Sequence, residues 1–368
     1  MSTSFEVLTA NTELGEAWDE VVAGMNECDV YFHRTLCQAF AEYEGCVARM
    51  FLFRRGESVI VYPFFLRRIA SLPFLDSPEY WNDYSDIISP YGYGGPLMNV
   101  MENNEQEKGR LWSEFLDTVH AYCIDQKIVS EFARLHPFLQ NHHDLKLSNG
   151  LERRSCVVTV DLSASDEELW QGFTKANRKK IKRTWANGLR VEEANTPADV
   201  HLFVQLYHHN MQRLHARDWY MFPEAWLREL HARFSEHFTL FIAYEGDRVV
   251  AGAAVFHMNG LVNNFLSATA EDCGHLAPNN RLFYEIILWA KRRGYRWYNM
   301  GGGYRINDGV MRFKLNFSQH TKDFYTYQKV HLAEAYEALV QEWRQAVSSA
   351  IEVEESKYFP LYRMSHQK

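Results

Sequence analysis

Residues 48 to 66, ARMFLFRRGESVIVYPFFL, and residues 238 to 256, FTLFIAYEGDRVVAGAAVF, share one pattern. In each, a run rich in β-branched and aromatic residues meets a tight turn, at Gly56-Glu57 or Gly246-Asp247, and a second such run follows. That is the signature of a β-hairpin. The echo continues downstream, where EFLDTVHAYCIDQKIVSEFARL (114 to 135) and LFYEIILWAKRRGYRWYNMGGG (282 to 303) each show helical spacing of apolar residues, a break and a short strand. Upstream, CQAFAEYEG precedes the first hairpin, while VQLYHHNMQRLHARD and PEAWLRELHARF precede the second, all with helical character. Each half therefore reads helix, hairpin, strand, helix, strand. This α/β order predicts two tandem domains, mixed sheets flanked by helices, with a cleft between them. A single α/β protein whose halves match by coincidence is the alternative.

Length supports the tandem reading, because 368 residues exceed the size at which one hydrophobic core stops growing. The expected divisions are 1–150, 151–330 and a tail, 331–368. The crossing is carried by NGLERRSCVVTVDLSAS, and the tail opens on an amphipathic helix expected to pack on the second domain. A net charge of −8 argues against a protein that coats nucleic acid, and no DNA partner is expected, but a local basic patch remains compatible with RNA. The six cysteines form no C-x-x-C pair, as expected of free thiols in a reducing compartment. The first twenty residues have no basic, apolar leader pattern, and the run SVIVYPFFL is too short to span a bilayer. A cytoplasmic protein without a transmembrane segment is the expectation.

Three segments concentrate chemistry. SPYGYGGPL (89 to 97) is too rich in Pro and Gly for a regular element, and presents Tyr91 and Tyr93 either to a pocket or as part of a structural loop. FTKANRKKIKRTWANGLR (173 to 190) is cationic without an acid; as a helix it puts Lys175, Arg178, Lys179 and Lys182 along one face, with Arg183 nearby. Such a face suits phosphate oxygens, or it is a solvated surface. GGGYRINDGVMRFKLNFS (301 to 318) combines bare backbone at Gly301, Gly302 and Gly303 with an Asp308-Gly309 turn expected to lead into a strand anchored by Phe313 and Phe317. Lys314, between those rings, either snorkels at the surface or points into a cleft. Histidines 208, 209 and 215 lack a carboxylate or thiol at ligand spacing, so a surface helix is expected there and no metal. There is no nucleophile elbow, Walker loop or dinucleotide fingerprint.

Together SPYGYGGPL, TKANRKKIKRTWANGLRVE, HLAPNNRLFYEIILWAKRRGY and GGGYRINDGVMRFKLNFS resemble the FemABX-type aminoacyltransferases, a branch of the GNAT acyltransferase superfamily, over roughly residues 30 to 330. The resemblance implies tandem GNAT-like domains that move an aminoacyl group from aminoacyl-tRNA to an amine of a peptidoglycan precursor or small peptide natural product. Aminoacyl-tRNA is then a co-substrate and no other cofactor is implied. The lysine of the family's F-K-x-x-F segment, placed near the reacting carbonyl, corresponds to Lys314. On this reading Lys314 is catalytic, Arg312 and the Lys175, Arg178, Lys179, Lys182, Arg183 group hold phosphates, and Tyr91, Tyr93, Gly302 and Gly303 border the substrates. Two departures stand out. The long helical arm of the larger members is missing, and CGHLAPNNRLF replaces the Q/R-x-x-G-x-G/A loop that seats acetyl-CoA pyrophosphate in ordinary GNAT enzymes. The rival expectations are an acyl-CoA-dependent N-acyltransferase and a non-catalytic RNA- or peptide-binding GNAT pair.

Overall fold

The computed structural model describes residues 3–13, 15–100, 105–146, 148–194, 196–303, 308–346 and 358–364. The chain forms two compact units, Met1–Arg154 together with Phe324–Lys368, and Ser155–Asp323. Each has the mixed sheet and flanking helices of a GNAT-like domain.

The first unit contains β1 (Thr3–Thr9), α1 (Gly15–Ala23), α2 (Arg34–Glu44), β2 (Val47–Arg55), β3 (Ser58–Arg68), β4 (Ser85–Ile88), β5 (Leu97–Asn99), α3 (Glu105–Asp125) and β6 (Ile128–Arg134). The chain leaves it within β7 (Leu151–Asp161) and returns within β13 (Thr321–Val330), which leads to α10 (Ala333–Ala346). The β2–β3 hairpin closes at Arg55 opposite Ser58 around Gly56, whose φ of +58° is the left-handed value that glycine permits. Strands run in the order β1-β2-β3-β4-β6-β13, with β5 also on β3. Pro63 falls in β3 between the stretch paired with β5, Val59–Val61, and the stretch paired with β4, Phe65–Arg68, where its missing N–H forfeits no bond to either. On one face Phe51, Phe53, Tyr62 and Phe64 meet Leu111, Trp112, Phe115 and Val119 of α3. The β4–β6 pairing is parallel, so the sheet is mixed as expected.

The second unit adds α4 (Asp166–Gly172), α5 (Lys175–Ala186), β8 (Arg190–Ala194), α6 (Pro197–Arg213), α7 (Glu224–Arg233), β9 (Phe238–Glu245), β10 (Arg248–Met258), β11 (Leu261–Thr269), α8 (Pro278–Arg292), β12 (Trp297–Gly301) and α9 (Gly309–Lys314). Strand order is β7-β12-β11-β10-β9-β8, with β11 and β12 parallel. The β9–β10 hairpin repeats the first one, turning at Gly246 with φ of +59°. Leu282, Phe283, Ile286, Ile287 and Ala290 of α8 recur at helical spacing and bury against Phe241, Ala251, Ala253 and Val255.

The C-terminal helix corrects one expectation. Instead of packing on the second domain, α10 buries Leu339, Val340 and Trp343 in a first-unit core with Ile69, Trp81, Val129 and Tyr362. The reason is topological: β13 pairs with β6, from Thr326 opposite Arg134 to Val330 opposite Ser130, and so delivers α10 to the first sheet. An amphipathic period says that a helix needs a partner, not which partner. The tail residues 347–357 lie outside the described residues. Among the described residues no helix is long and apolar enough to cross a membrane.

Truncating Trp343 tests this placement. Trp343 is buried and its Nε1 donates to Met364 O at 3.1 Å, so Trp343→Ala should cost about 3 to 5 kcal/mol. Hydrogen exchange should accelerate in residues 69–84 and 128–134, while β9 to β11 keep their protection.

Candidate active site

β12 ends on a bulge. Asn299 opposes Thr159 and Gly301 opposes Val158, which leaves one extra residue between them, and Gly301 takes φ of +76°. Asn299 fixes the bulge from inside: its Oδ1 accepts from Gly301 N at 2.9 Å and its Nδ2 donates to Asn263 Oδ1 at 3.0 Å, both asparagines being buried. Gly303 then lies against the Asp308 carboxylate so closely that a Cβ would overlap it. Residues 304–307 of this segment lie outside the described residues.

The strand expected after Asp308-Gly309 is instead the helix α9. Residues 311 to 317 alternate apolar and polar, which suits a strand, yet a seven-residue window also satisfies a helical face. Asp308 decides the outcome as N-cap, its Oδ1 accepting from Met311 N at 2.7 Å. Phe313 and Phe317 then meet at i, i+4, ring centroids 5.5 Å apart, and both pack on Phe283 of α8.

The same helical turn buries Lys314, which is 9% exposed and so does not snorkel. Its Nζ donates to Gly302 O at 2.6 Å, the one hydrogen bond of this ammonium among the described residues. Burial pulls its pKa from 10.5 down to about 8, against an opposing pull from Asp308. A cation with three donors, one of them used, thus stands behind the bulged glycines. Arg312, two residues away, is exposed.

The N-terminus of α5 is tied to this helix by amides. Thr174 N donates to Asn316 O at 3.0 Å, Thr174 Oγ1 to Asn316 Oδ1 at 2.8 Å, and Asn177 Nδ2 to Asn316 O at 3.0 Å. Asn280 Nδ2 of α8 adds a bond to Asn177 Oδ1 at 2.7 Å. The basic patch is indeed helical, but its cations differ in duty. Arg178 turns its Nη1 back onto the carbonyl oxygens of Trp170, Gln171 and Phe173, closing the end of α4. Arg183 Nη2 donates to His275 O at 2.6 Å, and Lys182 lies 5.8 Å from the Trp170 ring centroid. Lys175, Lys179 and Lys180 are exposed and make no hydrogen bond or ion pair among the described residues.

A family model described as "Acetyltransferase (GNAT) domain" matches residues 173–315, the stretch that holds α5, α8, β12 and α9. The crystal structure of FemX has a TM-score of 0.67 to this chain at 12% identity, covering 92% of this chain and 99% of that one. The structure of L-PGS from Bacillus licheniformis has a TM-score of 0.52 at 14% identity, covering 87% and 92%. The chain has a FemX-like GNAT fold. No curated protein sequence matches it.

Within this FemX-like fold Tyr91 and Tyr93 belong to the first unit, half-buried on a loop clamped from beneath. Asn141, itself buried, donates from Nδ2 to Gly94 O at 2.8 Å and Pro96 O at 3.0 Å and accepts from His136 N at 3.0 Å. His136 accepts at Nδ1 from Phe138 N and Leu139 N, which leaves the proton on Nε2 for Asp29 Oδ2 at 2.8 Å. Tyr93 packs edge-on against both Tyr31 and His136, and Tyr91 lies on Phe40. His208 and His209, considered for metal, face the carbonyl oxygens of Phe222 and Gln205.

Sequence reasoning missed Asn177, Asn280, Asn316, Asn141 and the Asp29–His136 pair. One signal was present: Asn177 shares a face with Ile181 and Thr184, all buried, and an asparagine on a buried face demands partners. Asn177→Ala would leave Asn280 Nδ2 and one lone pair of Asn316 O without their bonds. We expect a loss of about 2 to 6 kcal/mol in urea unfolding, at roughly 1 to 3 for each orphaned group.

Proposed function

We propose that this protein is an aminoacyltransferase that forms an amide bond, taking its aminoacyl group from aminoacyl-tRNA and passing it to an amine of a peptidoglycan precursor or small peptide. The observation that carries this reading is the buried ammonium of Lys314 behind the bulged end of β12, with one hydrogen bond among the described residues. In the reaction the acceptor nitrogen attacks the ester carbonyl, a C–N bond forms and the carbonyl oxygen gains negative charge. Collapse breaks the C–O bond to the ribose; the proton lost by the amine ends on the departing ribose hydroxyl. An ester needs no strong nucleophile, so positioning and charge stabilisation supply the acceleration. Lys314 supplies the positive charge, desolvated and therefore effective. On this reading Arg312, Lys175 and Lys179 take donor phosphates, and the Tyr91–Tyr93 loop shapes the acceptor pocket. The fold of FemX and of L-PGS supports the aminoacyl class.

The donor is supported by what begins α8. Ala277 stands at its N-cap with φ of +54° and Pro278 follows, in place of a glycine string with bare amides. The description of the matching family favours the rival, acyl-CoA. Turnover from amino acid, ATP and the cognate synthetase should require tRNA and vanish on RNase treatment. Turnover from acyl-CoA alone, indifferent to RNase, would replace the donor.

Lys314→Met should lower kcat by about 10² to 10³, the usual loss for one charge-stabilising donor. It should not lower the melting temperature. Holding the ammonium at a pKa of about 8 instead of 10.5 costs the fold about 3 kcal/mol. That cost is present in full below pH 8 and fades as pH rises toward 10.5, because the folded state then binds fewer protons than the unfolded one. The sign of the pH–rate profile fixes the role. As a cation Lys314 gives a kcat/KM that falls through about pH 8; as a base it would give one that rises there, and would remove the charge-stabilising assignment.

A further inference from the structure

The first unit holds a cavity of about 400 Å³, within the range of small-molecule sites, whose walls include Arg67, Arg134 and Arg154 with Phe132, Phe324 and Tyr358. Among the described residues no carboxylate lines it. The three guanidiniums are not equivalent. Arg154 is committed, with Nε to Thr326 Oγ1 at 2.9 Å and Nη1 to Glu152 Oε2 at 3.0 Å. Arg67 is half committed: its Nε donates to Asp86 Oδ1 at 2.7 Å, while its Nη2 is buried with no acceptor among the described residues. Asp86 is shared with Arg363, whose Nε donates to Oδ2 at 2.8 Å, so one carboxylate serves two cations.

Arg134 is the exception. Its guanidinium makes no hydrogen bond or ion pair among the described residues and lies 5.6 Å from the Phe132 ring centroid. Its backbone is fixed, because Arg134 O accepts from Gly94 N at 2.7 Å and Arg134 N donates to Ser89 Oγ at 3.0 Å. Burial depresses its pKa, and the opposing pull of Glu44 and Tyr91 does not make up the difference. A guanidinium does not shed its proton, so that imbalance is a standing cost rather than a titration. Asp86 explains Arg67 as structure. Arg134 has the charge of Glu44 nearby but no hydrogen-bonded carboxylate among the described residues, and a planar five-donor fork against an aromatic wall is the geometry that grips a carboxylate or phosphate.

We propose that the first unit carries a binding site for a small molecule bearing an oxyanion, carboxylate or phosphate, on an apolar or aromatic body, with Arg134 as the principal contact and Arg67 Nη2 as the second. The test needs no donor. Calorimetry on the full chain in a phosphate-free buffer would compare benzoate, phenyl phosphate and neutral benzamide. At least one of the two anions should bind ten times more tightly than benzamide, and which one does so distinguishes carboxylate from phosphate. Arg134→Met should weaken that binding by tenfold or more while still folding, since no hydrogen bond or ion pair of the guanidinium among the described residues is lost. Failure of both anions to bind at about 10 mM, equal binding of benzamide, or an Arg134→Met affinity within twofold of wild type would each overturn the site. The wild-type comparison stands even if the variant does not fold.

Discussion

The site of this protein depends on one hydrogen bond, from the buried Lys314 ammonium to the carbonyl oxygen of Gly302. It joins the last turn of α9 to the segment that leaves β12, and it does so with a charge that the interior disfavours. Such a contact persists only when its surroundings over-determine it. They do: Phe283, Phe313 and Phe317 wall the helix on one side, and Asn316 anchors its far end to Thr174 and Asn177. The rings and amides that hold the helix gain nothing from the charge of the lysine; Asp308, which caps the helix, attracts it. Among the described residues the ammonium keeps that one hydrogen bond.

Buried carboxamides are the common device in both units. Asn299 holds the bulge at Gly301, and Asn141 holds the loop of Tyr91 and Tyr93 through the carbonyls of Gly94 and Pro96. A glycine-rich loop lacks side chains of its own to pack, so its conformation must be imposed from outside. An amide does this economically, because it offers donors and an acceptor without a net charge to desolvate. In the first unit the Asp29–His136 pair plays a supporting part, since His136 takes two backbone N–H donors on one nitrogen and satisfies the carboxylate with the other.

Much of the fold was legible. Paired hairpins with Gly56 and Gly246 at matching turns, and the helix–strand echoes after them, express local rules of turn chemistry and periodicity, and these survive into the structure. What failed depended on long-range topology or on windows too short to decide. The destination of α10 follows from β13 pairing with β6 across a separation of nearly two hundred residues, which no local pattern encodes. The α9 segment satisfied two periods at once, and only the Asp308 cap resolved it. The candidate site was read in part: Lys314 was singled out by its neighbours in sequence, but its burial and its Gly302 partner are tertiary facts.

Charge shows the limit most clearly, because sequence counts charges and structure decides which are spent. The cationic stretch from 175 to 183 looks like a single patch, yet Arg178 is occupied by three carbonyls, Arg183 by another and Lys182 by an indole face. Lys175, Lys179 and Lys180 make no hydrogen bond or ion pair among the described residues. Arg134 is the reverse case, a lone arginine at the end of an apolar strand that nothing in EFARLH marks as unusual. Its consequence arises only when β6 brings it beside Arg67 in a cavity that no carboxylate of the described residues lines. For an anion what matters is therefore the number of guanidiniums the fold has left unsatisfied, and by that measure the first unit, which contributes none of the basic patch, offers a concave anion pocket of its own.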